Sequence, residues 1–316
     1  MRVKDEGPAN SDRVFSVEEL RVASMRSVDA FAEALAHKDD ARAGEFSKRL
    51  RYETLAMLRS YDGWEDDLIA WVARREEAAT VETLPSQLND RLKGQCPEPI
   101  AEEPESHLRE IARSVAAALK AGNRELALVQ ANKLQDDALN HHDRGMARVT
   151  GILSWIGNRY EATLLEEAMT ESMAGDLLGD VSFREQAEAL MHYTRVHLHP
   201  FELEEDDEKI TFTCPVCPSG GRLLQNGQYA DSNLGMELQG PRPFTYGRES
   251  LPVYCCHEPA IEIASIQKTG VPMFIVEPSD ELGVKPCKTY LYKNSAGIPE
   301  RFYTRLGLEK PSSKPS

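Results

Sequence analysis

Cysteine and histidine side chains with metal-ligand spacing occur twice in the last third of the 316-residue chain. Cys214-Pro-Val-Cys217 is a Cys-x-x-Cys knuckle, and Cys255-Cys256-His257 supplies three more soft or borderline ligands. Zinc prefers four such ligands in a tetrahedron, and two ligand pairs on separate segments are a common way for a chain to supply them. The sequence therefore predicts a zinc site with Cys217, Cys255 and His257 at its core, and with Cys214 and Cys256 as further candidates.

The choice among these ligands depends on local structure. Alternate residues of an extended strand share a face, so Cys255 and His257 would point to one ion whereas adjacent Cys255 and Cys256 would not. His197 and His199 have the same spacing, and we expect His199 to be a further ligand candidate. Four protein ligands would make a structural site, whereas an open fourth position would make a catalytic one, and the sequence leaves both alternatives open.

A candidate substrate-binding segment follows the knuckle directly. It reads Ser219-Gly220-Gly221-Arg222. Paired glycines let backbone N–H groups approach an anion, and an arginine binds carboxylates in a bidentate manner. We expect these residues to bind a substrate carboxylate, although turn formation alone would also explain the Ser-Gly-Gly run.

Candidate acid–base residues lie on both sides of the chain's midpoint. His197 precedes an acidic run, of which Glu204 and Glu205 are the first members, and one of the three would be a base beside the metal. In the helical half, Asp137, His141, His142 and Asp143 form a His/carboxylate cluster. His142 is the candidate acid–base group of this cluster, and a surface or interface cluster is the alternative interpretation.

Composition limits the class of protein. Because 52 acidic side chains outnumber 37 basic ones, the formal charge of −15 repels phosphate backbones and anionic lipid. No apolar run approaches the roughly 18 residues that span a bilayer, and the first residues lack the apolar stretch of a signal peptide. Four of six cysteines sit in two tight pairs, which favours metal binding in a reducing compartment. These features predict a cytoplasmic protein without a nucleic-acid or membrane partner.

The helical part shows an internal repeat. Apolar residues at helical spacing fill the segment from Val17 onward, and a shift of 84 residues without a gap places Trp71 on Trp155 and Arg75 on Arg159. Similar composition of two Ala- and Glu-rich segments is the alternative explanation. We expect the repeats to form one wall of the predicted substrate pocket or to form a homodimer interface.

Short β-type runs separated by Gly/Pro turns follow residue 197. The predicted strands are Lys209–Cys214, Arg222–Leu224, Val253–Cys255, Met273–Glu277 and Lys288–Lys293.

The sequence therefore predicts an α+β fold: a helical bundle built from a duplicated helical unit, followed by a mixed, largely antiparallel β-rich domain with a Cys/His metal site. The predicted ranges are a flexible tail (1–16), helical repeat 1 (17–84), a Pro- and Glu-rich linker (85–106), helical repeat 2 with a connecting helix (107–196), the β-rich metal-binding domain (197–307) and a second flexible tail (308–316).

Residues 201–222 and 254–307 resemble a group of poorly characterised bacterial proteins, which carry a Cys-x-Ser-Gly-Gly-Arg loop, a Cys-x-His motif and a late Pro-Cys. The residues that match these motifs are Cys217, Arg222, Cys255, His257 and Cys287, with His197 and His199 as weaker matches and Cys214 and Cys256 as departures. More distantly, the last third is similar to vinyl-reductase-type ligand-binding domains and aminothiazoline-carboxylate hydrolase-like proteins. This resemblance implies a small-molecule pocket near a metal.

The function predicted from these patterns is that of a zinc-dependent hydrolase or lyase acting on a small carboxylated metabolite. The alternative is a non-enzymatic module for small-molecule sensing or protein interaction, stapled by a structural zinc.

Overall fold

Helices make up the first two-thirds of the chain. The structure, a computed structural model, describes residues 13–94, 96–173, 181–229 and 234–311. Within these ranges, the helices before residue 200 are α1 (Val17–Ser24), α2 (Ser27–Ala36), α3 (Asp40–Ala73), α4 (Ala78–Leu92), α5 (Pro104–Lys120), α6 (Arg124–Arg159), α7 (Ala162–Met173) and α8 (Phe183–Val196). Nowhere in the described ranges is a helix long and apolar enough to cross a membrane.

The two longest helices, α3 and α6, pack side by side. Residues of α3 contact residues of α6 that lie about 84 positions further along the chain. Since this separation hardly changes over some 50 Å of helix, the two helices run parallel and in register. The pairs are Asp40–Arg124, Tyr61–Gly145 and Glu65–Arg148, and Glu76–Arg159 continues the same separation three residues beyond the end of α3.

Helix boundaries repeat with the same separation. Asp39 caps α3 by accepting from the N–H of Arg42, and Asn123, which lies 84 residues later, caps α6 by accepting from the N–H of Leu126. Asx side chains are preferred at this position because they satisfy an otherwise unpaired N–H group. The helices α4 and α7 likewise begin at Ala78 and Ala162.

An antiparallel sheet forms the centre of the last third. Its strands are β1 (Glu202–Glu205), β2 (Lys209–Cys214), β5 (Ile275–Glu277) and β6 (Cys287–Tyr292), in the order β1-β2-β6-β5. A separate two-stranded sheet pairs β3 (Glu237–Gln239) with β4 (Ser250–Pro252). Ile210, Phe212 and Leu291 point into the core. The α+β class, the helical first part and the antiparallel sheet are therefore confirmed.

Two predicted strands are wrong. Residues 222–224 lie in helix α9 (Gly220–Gln225), and residues 253–255 lie in the 3-10 helix Val253–Cys256, which leads into helix α10 (His257–Thr269). Short apolar runs do not distinguish helix from strand by periodicity alone. Cys255 and His257 consequently do not share a strand face, which removes that argument for pairing them as ligands.

The segment predicted as a linker begins inside a helix. Helix α4 continues through Pro85 and buries Leu84, Leu88 and Leu92 against the bundle. Leucines four residues apart form one stripe of a helix, and burying this stripe stabilises the segment despite its proline. The irregular part of the segment therefore lies between Leu92 and Pro104.

In each predicted tail, the described residues nearest the folded part of the chain are hydrogen-bonded to it. Glu205 accepts hydrogen bonds from the N–H groups of Val14 and Phe15, at 2.7 and 3.1 Å, and pairs with Lys293. Near the other terminus, Lys310 donates to the carbonyl of Ile298. Residues 1–12 and 312–316, which make up the rest of the predicted tails, lie outside the described residues.

A buried carboxylate holds the C-terminal helix α11 (Arg301–Thr304) against the sheet. Glu262 on α10 is 1% exposed and accepts from Arg305 at 2.9 Å, from the N–H of Val276 and from the hydroxyl of Tyr246. Burial nevertheless raises the pKa of Glu262 to about 7, because these donors compensate only part of the lost hydration.

The close contact between α3 and α6 predicts opposite effects for two glycine-to-alanine changes. A Cβ at Gly145 would lie 2.8 Å from Tyr61 Cβ, whereas one at Gly63 would have no neighbour within 4 Å. Gly145→Ala should therefore lower the free energy of unfolding by about 1–3 kcal/mol, while Gly63→Ala should raise it by about 0.5–1 kcal/mol through helix propensity. Urea unfolding of both variants checks this, and equal effects would contradict the packing.

Glu262 predicts a pH dependence of stability. Its pKa is raised from 4.5 to about 7 in the folded state. Between these values the folded protein holds a proton that the unfolded chain has released, so stability falls as pH rises through this window and is level above it. The slope is at most about 1.4 kcal/mol per pH unit. Plotted against pH, the free energies of unfolding of the wild type and Glu262→Gln should differ in slope by this amount. Parallel pH profiles would refute the assignment.

Candidate functional site

A cavity of about 90 Å³ lies where α8, the end of β2, the start of α9 and the start of α10 meet. Its walls are largely apolar and aromatic, with a few polar groups among them. Sites for small ligands commonly have this character. The volume corresponds to a handful of water molecules, so the cavity suits a small ligand.

Four thiols line this cavity, those of Cys214, Cys217, Cys255 and Cys287. Cys214 and Cys287 are register partners on the neighbouring strands β2 and β6. Cys255 lies against the backbone of Gly220, where a Cβ would come within 2.4 Å of its sulfur. The close approach of α9 to Cys255 therefore requires glycine at this position.

Burial makes three of these thiols poor acids. It raises the pKa of Cys287 to about 11 and raises the pKa values of Cys214 and Cys255 further, and the neighbouring thiol groups act in the same direction. At neutral pH these side chains are therefore protonated unless a cation stabilises the thiolate.

Two predicted metal ligands lie outside the cavity walls. Cys256 is fully buried and its sulfur points to the carbonyls of Leu251 and Pro252. His199 Nε2 lies 2.8 Å from a guanidinium nitrogen of Arg222. The 3-10 turn at residues 253–256 sends the adjacent cysteines in different directions, which places only Cys255 in the cavity.

His257 lines the cavity with both ring nitrogens engaged. Nδ1 lies 2.6 Å from the carbonyl oxygen of Tyr254, and Nε2 lies 3.2 Å from Glu258 Oε1. Burial opposes the charged form of the imidazole, but Glu258 and the Tyr254 carbonyl more than offset this and raise the pKa of His257. His257 is therefore better placed to act as a cationic hydrogen-bond donor than as a metal ligand.

A hydrogen-bonded chain leads from the helical bundle to the cavity. Asp143 Oδ1 lies 3.3 Å from His142 Nδ1, and His142 Nε2 lies 3.1 Å from Nδ1 of His197, which lines the cavity. Tyr61 on α3 places its hydroxyl 3.3 Å from His142 Nε2 and 2.8 Å from the hydroxyl of Tyr254. The predicted acid–base residues His142 and His197 therefore meet, although they are 55 residues apart.

The ionised Asp143 fixes the tautomers in this chain. Burial acts to raise its pKa, but hydrogen bonds from His142 and Arg222 hold the pKa of Asp143 below its usual value. A carboxylate accepts from His142 Nδ1–H, which makes His142 Nε2 an acceptor for His197 Nδ1–H. His197 Nε2 is then the ring nitrogen with a free lone pair for the cavity.

The predicted substrate-binding residues divide into two groups. Ser219 and Gly220 line the cavity, while Gly221 packs against Cys217, whose Cβ would lie 2.9 Å from a Cβ at residue 221. The guanidinium of Arg222 pairs with Asp143, with Nε 3.1 Å from Oδ1, and also contacts His199. Arg222 therefore orients the carboxylate of the relay and lies behind the cavity wall.

The predicted bases on β1 lie away from the cavity. Glu204 is exposed, and Glu205 points to the opposite face, where it binds the N–H groups of Val14 and Phe15. Alternation along a strand sends neighbouring side chains to opposite faces, and neither face of this edge strand meets the cavity walls.

Sequence reasoning did not single out three residues of the site. Tyr61 and Trp64 come from α3, where Trp64 packs 5.3 Å from the His257 ring, and Glu258 lines the cavity beside His257. Tyr61 and Trp64 have the spacing of ordinary core residues and gave no signal. Glu258 directly follows the Cys-x-His motif and could have been found by its position.

The thiols do not form a ready-made metal cage. In the described part of the chain, no three His, Cys, Asp or Glu side chains are arranged so that they could themselves hold a metal ion. Metal binding here would require the thiol side chains to rotate towards a common centre.

Comparisons with known proteins add no identification. No protein-family model, no curated protein and no solved structure matches this chain. The resemblance to the bacterial group with the Cys-x-His motif therefore stays a prediction, and function is argued from the cavity and the relay.

The relay predicts the ionisation and tautomer of His197. Burial, and then the neighbouring His142, lowers the pKa of His197 well below its usual value, so ring ¹⁵N NMR should show a neutral Nδ1–H imidazole at pH 6. Asp143→Asn should shift His197 towards the other tautomer. Asp62→Asn is the control, because Asp62 contacts the neighbouring His141, at 3.2 Å, and not the three relay residues as they are described. A His197 that titrates near pH 6.5 would contradict the relay.

Proposed function

We propose that the cavity is the active site of a zinc-dependent hydrolase or lyase that acts on a small metabolite. The single observation that supports this is the meeting of four thiols with the end of the Asp143–His142–His197 relay in one cavity. Metal donors and a positioned base side by side are the components of metal-assisted proton transfer.

The donor set fits zinc in chemical type. Thiols are soft ligands that zinc favours, and Cys217, Cys255 and Cys287 would hold the ion with one position left for substrate. Bound zinc would supply Lewis acidity to the reacting group.

The chain's own residues would handle the proton. His197 Nε2 takes a proton from the reacting group in the cavity, and His142 Nε2 accepts the hydrogen bond from His197 Nδ1–H. The imidazolium formed on His197 is stabilised by this contact and, through His142, by the negative charge of Asp143. Arg222 holds Asp143 at one end of the relay, and Tyr61 contacts both His142 and His197.

The proposed substrate-binding residues differ from the predicted ones in the part that Arg222 plays. A carboxylate bound by Arg222 stays a prediction, but that guanidinium is already occupied by Asp143. A substrate carboxylate would instead meet Ser219 and Gly220, which line the cavity.

A closed structural zinc is the second candidate, and Cys214 favours it. Cys214 faces the same cavity and is the register partner of Cys287, so it could supply a fourth thiolate. The protein would then be a small-molecule-sensing or protein-interaction module. The predicted cytoplasmic location, homodimer and absence of a nucleic-acid partner stay predictions under either function.

We also propose that the helical part is a duplicated unit. This is supported by the caps Asp39 and Asn123, by the matching starts of α4 and α7, and by the in-register pairing of α3 with α6. In this view the second copy acquired His142 and Asp143, where the first copy carries Leu58 and Arg59.

Zinc analysis of cysteine variants tests the proposed metal site. Purified wild type should contain one zinc per chain, and Cys255→Ser should lose it, whereas Cys256→Ser should retain it because that thiol faces away from the cavity. Zinc uptake by chelated protein at pH 8 should also release protons, since buried thiols start protonated.

Two further variants separate the enzyme from the structural site. Cys214→Ser should leave zinc bound in an open site and should remove it or weaken it strongly in a closed one. For the enzyme, His197→Gln should lower kcat at least about 100-fold with zinc content unchanged. Absence of zinc from the wild type would refute both functions, and zinc bound by all four thiols would leave only the module.

A further inference from the structure

Besides its thiols, the cavity has carboxylate and aromatic groups that bear on the charge of the ligand it binds. Its walls include the carboxylate of Glu258, one oxygen of which pairs with His257, and the rings of Tyr193, Tyr246, Tyr254 and Phe274. The face of an aromatic ring is negative and attracts a cation, whereas its edge is positive, and an adjacent carboxylate adds full negative charge. Such walls complement a positively charged group.

Glu258 leaves one acceptor for this group. His257 Nε2 lies 3.2 Å from Oε1, whereas Oε2 is buried without a hydrogen-bond partner in the described structure. A buried unpaired carboxylate oxygen is costly, and a donor cation from outside the protein would remove that cost.

In the described ranges, the His257 imidazolium contacts the Tyr254 carbonyl and Oε1 of Glu258, and no second cation of the chain is bound at Oε2. None of the residues lining the cavity is an arginine or a lysine. Arg305 stacks on the Tyr246 ring at 4.0 Å, but it is bound to Glu262. Arg248 donates to the carbonyl of Ser279. With zinc in place, three thiolates would outweigh the charge of the ion, so the zinc-bound cavity would be negative.

Tyr193 offers the outer part of the binding surface. It is 40% exposed, lines the cavity and stacks on Phe274 with ring centres 6.3 Å apart. Tyr193 therefore places an aromatic ring at the exposed side of the cavity.

We infer that the cavity binds a small organic ammonium group, with Glu258 Oε2 as its acceptor and Tyr193 and Phe274 as its aromatic walls. This inference rests on the proposed function in that it assigns an amine-bearing substrate to the same site. The size of the cavity, about 90 Å³, limits the group to a primary or small substituted ammonium.

Binding of three probes of equal size tests the inference. Propylammonium, propanol and propionate are titrated into the zinc-analysed full chain, and the indole N–H signal of Trp64, which packs on Tyr254 and His257, is followed by NMR. Propylammonium should bind at least about tenfold more tightly than either of the other two probes.

Variants then locate the ammonium group. Glu258→Gln should weaken propylammonium about tenfold or more at unchanged zinc content, and Tyr193→Leu should weaken it about two- to fivefold. Asp280→Asn is the control, because its exposed carboxylate lies beside the cavity-lining Pro278 without lining the cavity. Tyr193 is exposed enough for its variant to fold even if Glu258→Gln does not.

The outcomes separate this inference from the metal proposal. Tighter binding of propionate, or equal propylammonium binding by Glu258→Gln, overturns the ammonium site. Loss of zinc in Glu258→Gln would identify Glu258 as a metal ligand. That result overturns the ammonium site but leaves the metal proposal standing. Binding of propylammonium through Glu258 in a protein without zinc supports the ammonium site and refutes the zinc enzyme.

Discussion

The close parallel packing of α3 on α6 is the constraint on which the site depends. Gly145 lets the two helices approach until Tyr61 lies against the α6 backbone, and this contact brings the Tyr61 hydroxyl to His142. The Asp40–Arg124 ion pair at one end is exposed and contributes little energy, but this pair and the Glu76–Arg159 pair at the other end match the same register. A shift of α6 by one turn would move His142 about 5 Å from its partners.

The connection between bundle and sheet is equally specific. His197 follows the last residue of α8, and Leu198 adopts a positive φ of 60°, which is unusual for a branched side chain. Gln135 on α6 donates to the Leu198 carbonyl at 2.9 Å and so holds this turn. The same helix therefore carries the relay residues and fixes the direction in which His197 enters the cavity.

The electrostatics of the cavity follow from burial. Protonated thiols, a neutral His197 and the half-engaged Glu258 are all states that an apolar environment favours or tolerates. Each would respond to a cation, because a cation lowers the pKa of a thiol and pairs with a carboxylate. The proposed zinc would bind thiols that it deprotonates, whereas the inferred ammonium group would pair with the unpaired oxygen of Glu258.

The sequence by itself determined the α+β class, the helical first part, strands β2 and β6, and the concentration of thiols after residue 213, because helical periodicity, alternation and ligand spacing are local properties. It did not determine that residues 222–224 and 253–255 are helical, since short apolar runs fit either structure. Only the tertiary structure decided that Arg222 serves Asp143, that Cys256 faces away from the cavity, and that Tyr61, His142 and His197 meet. These contacts join side chains up to 136 residues apart, and their geometry depends on how whole helices pack, which no local pattern records.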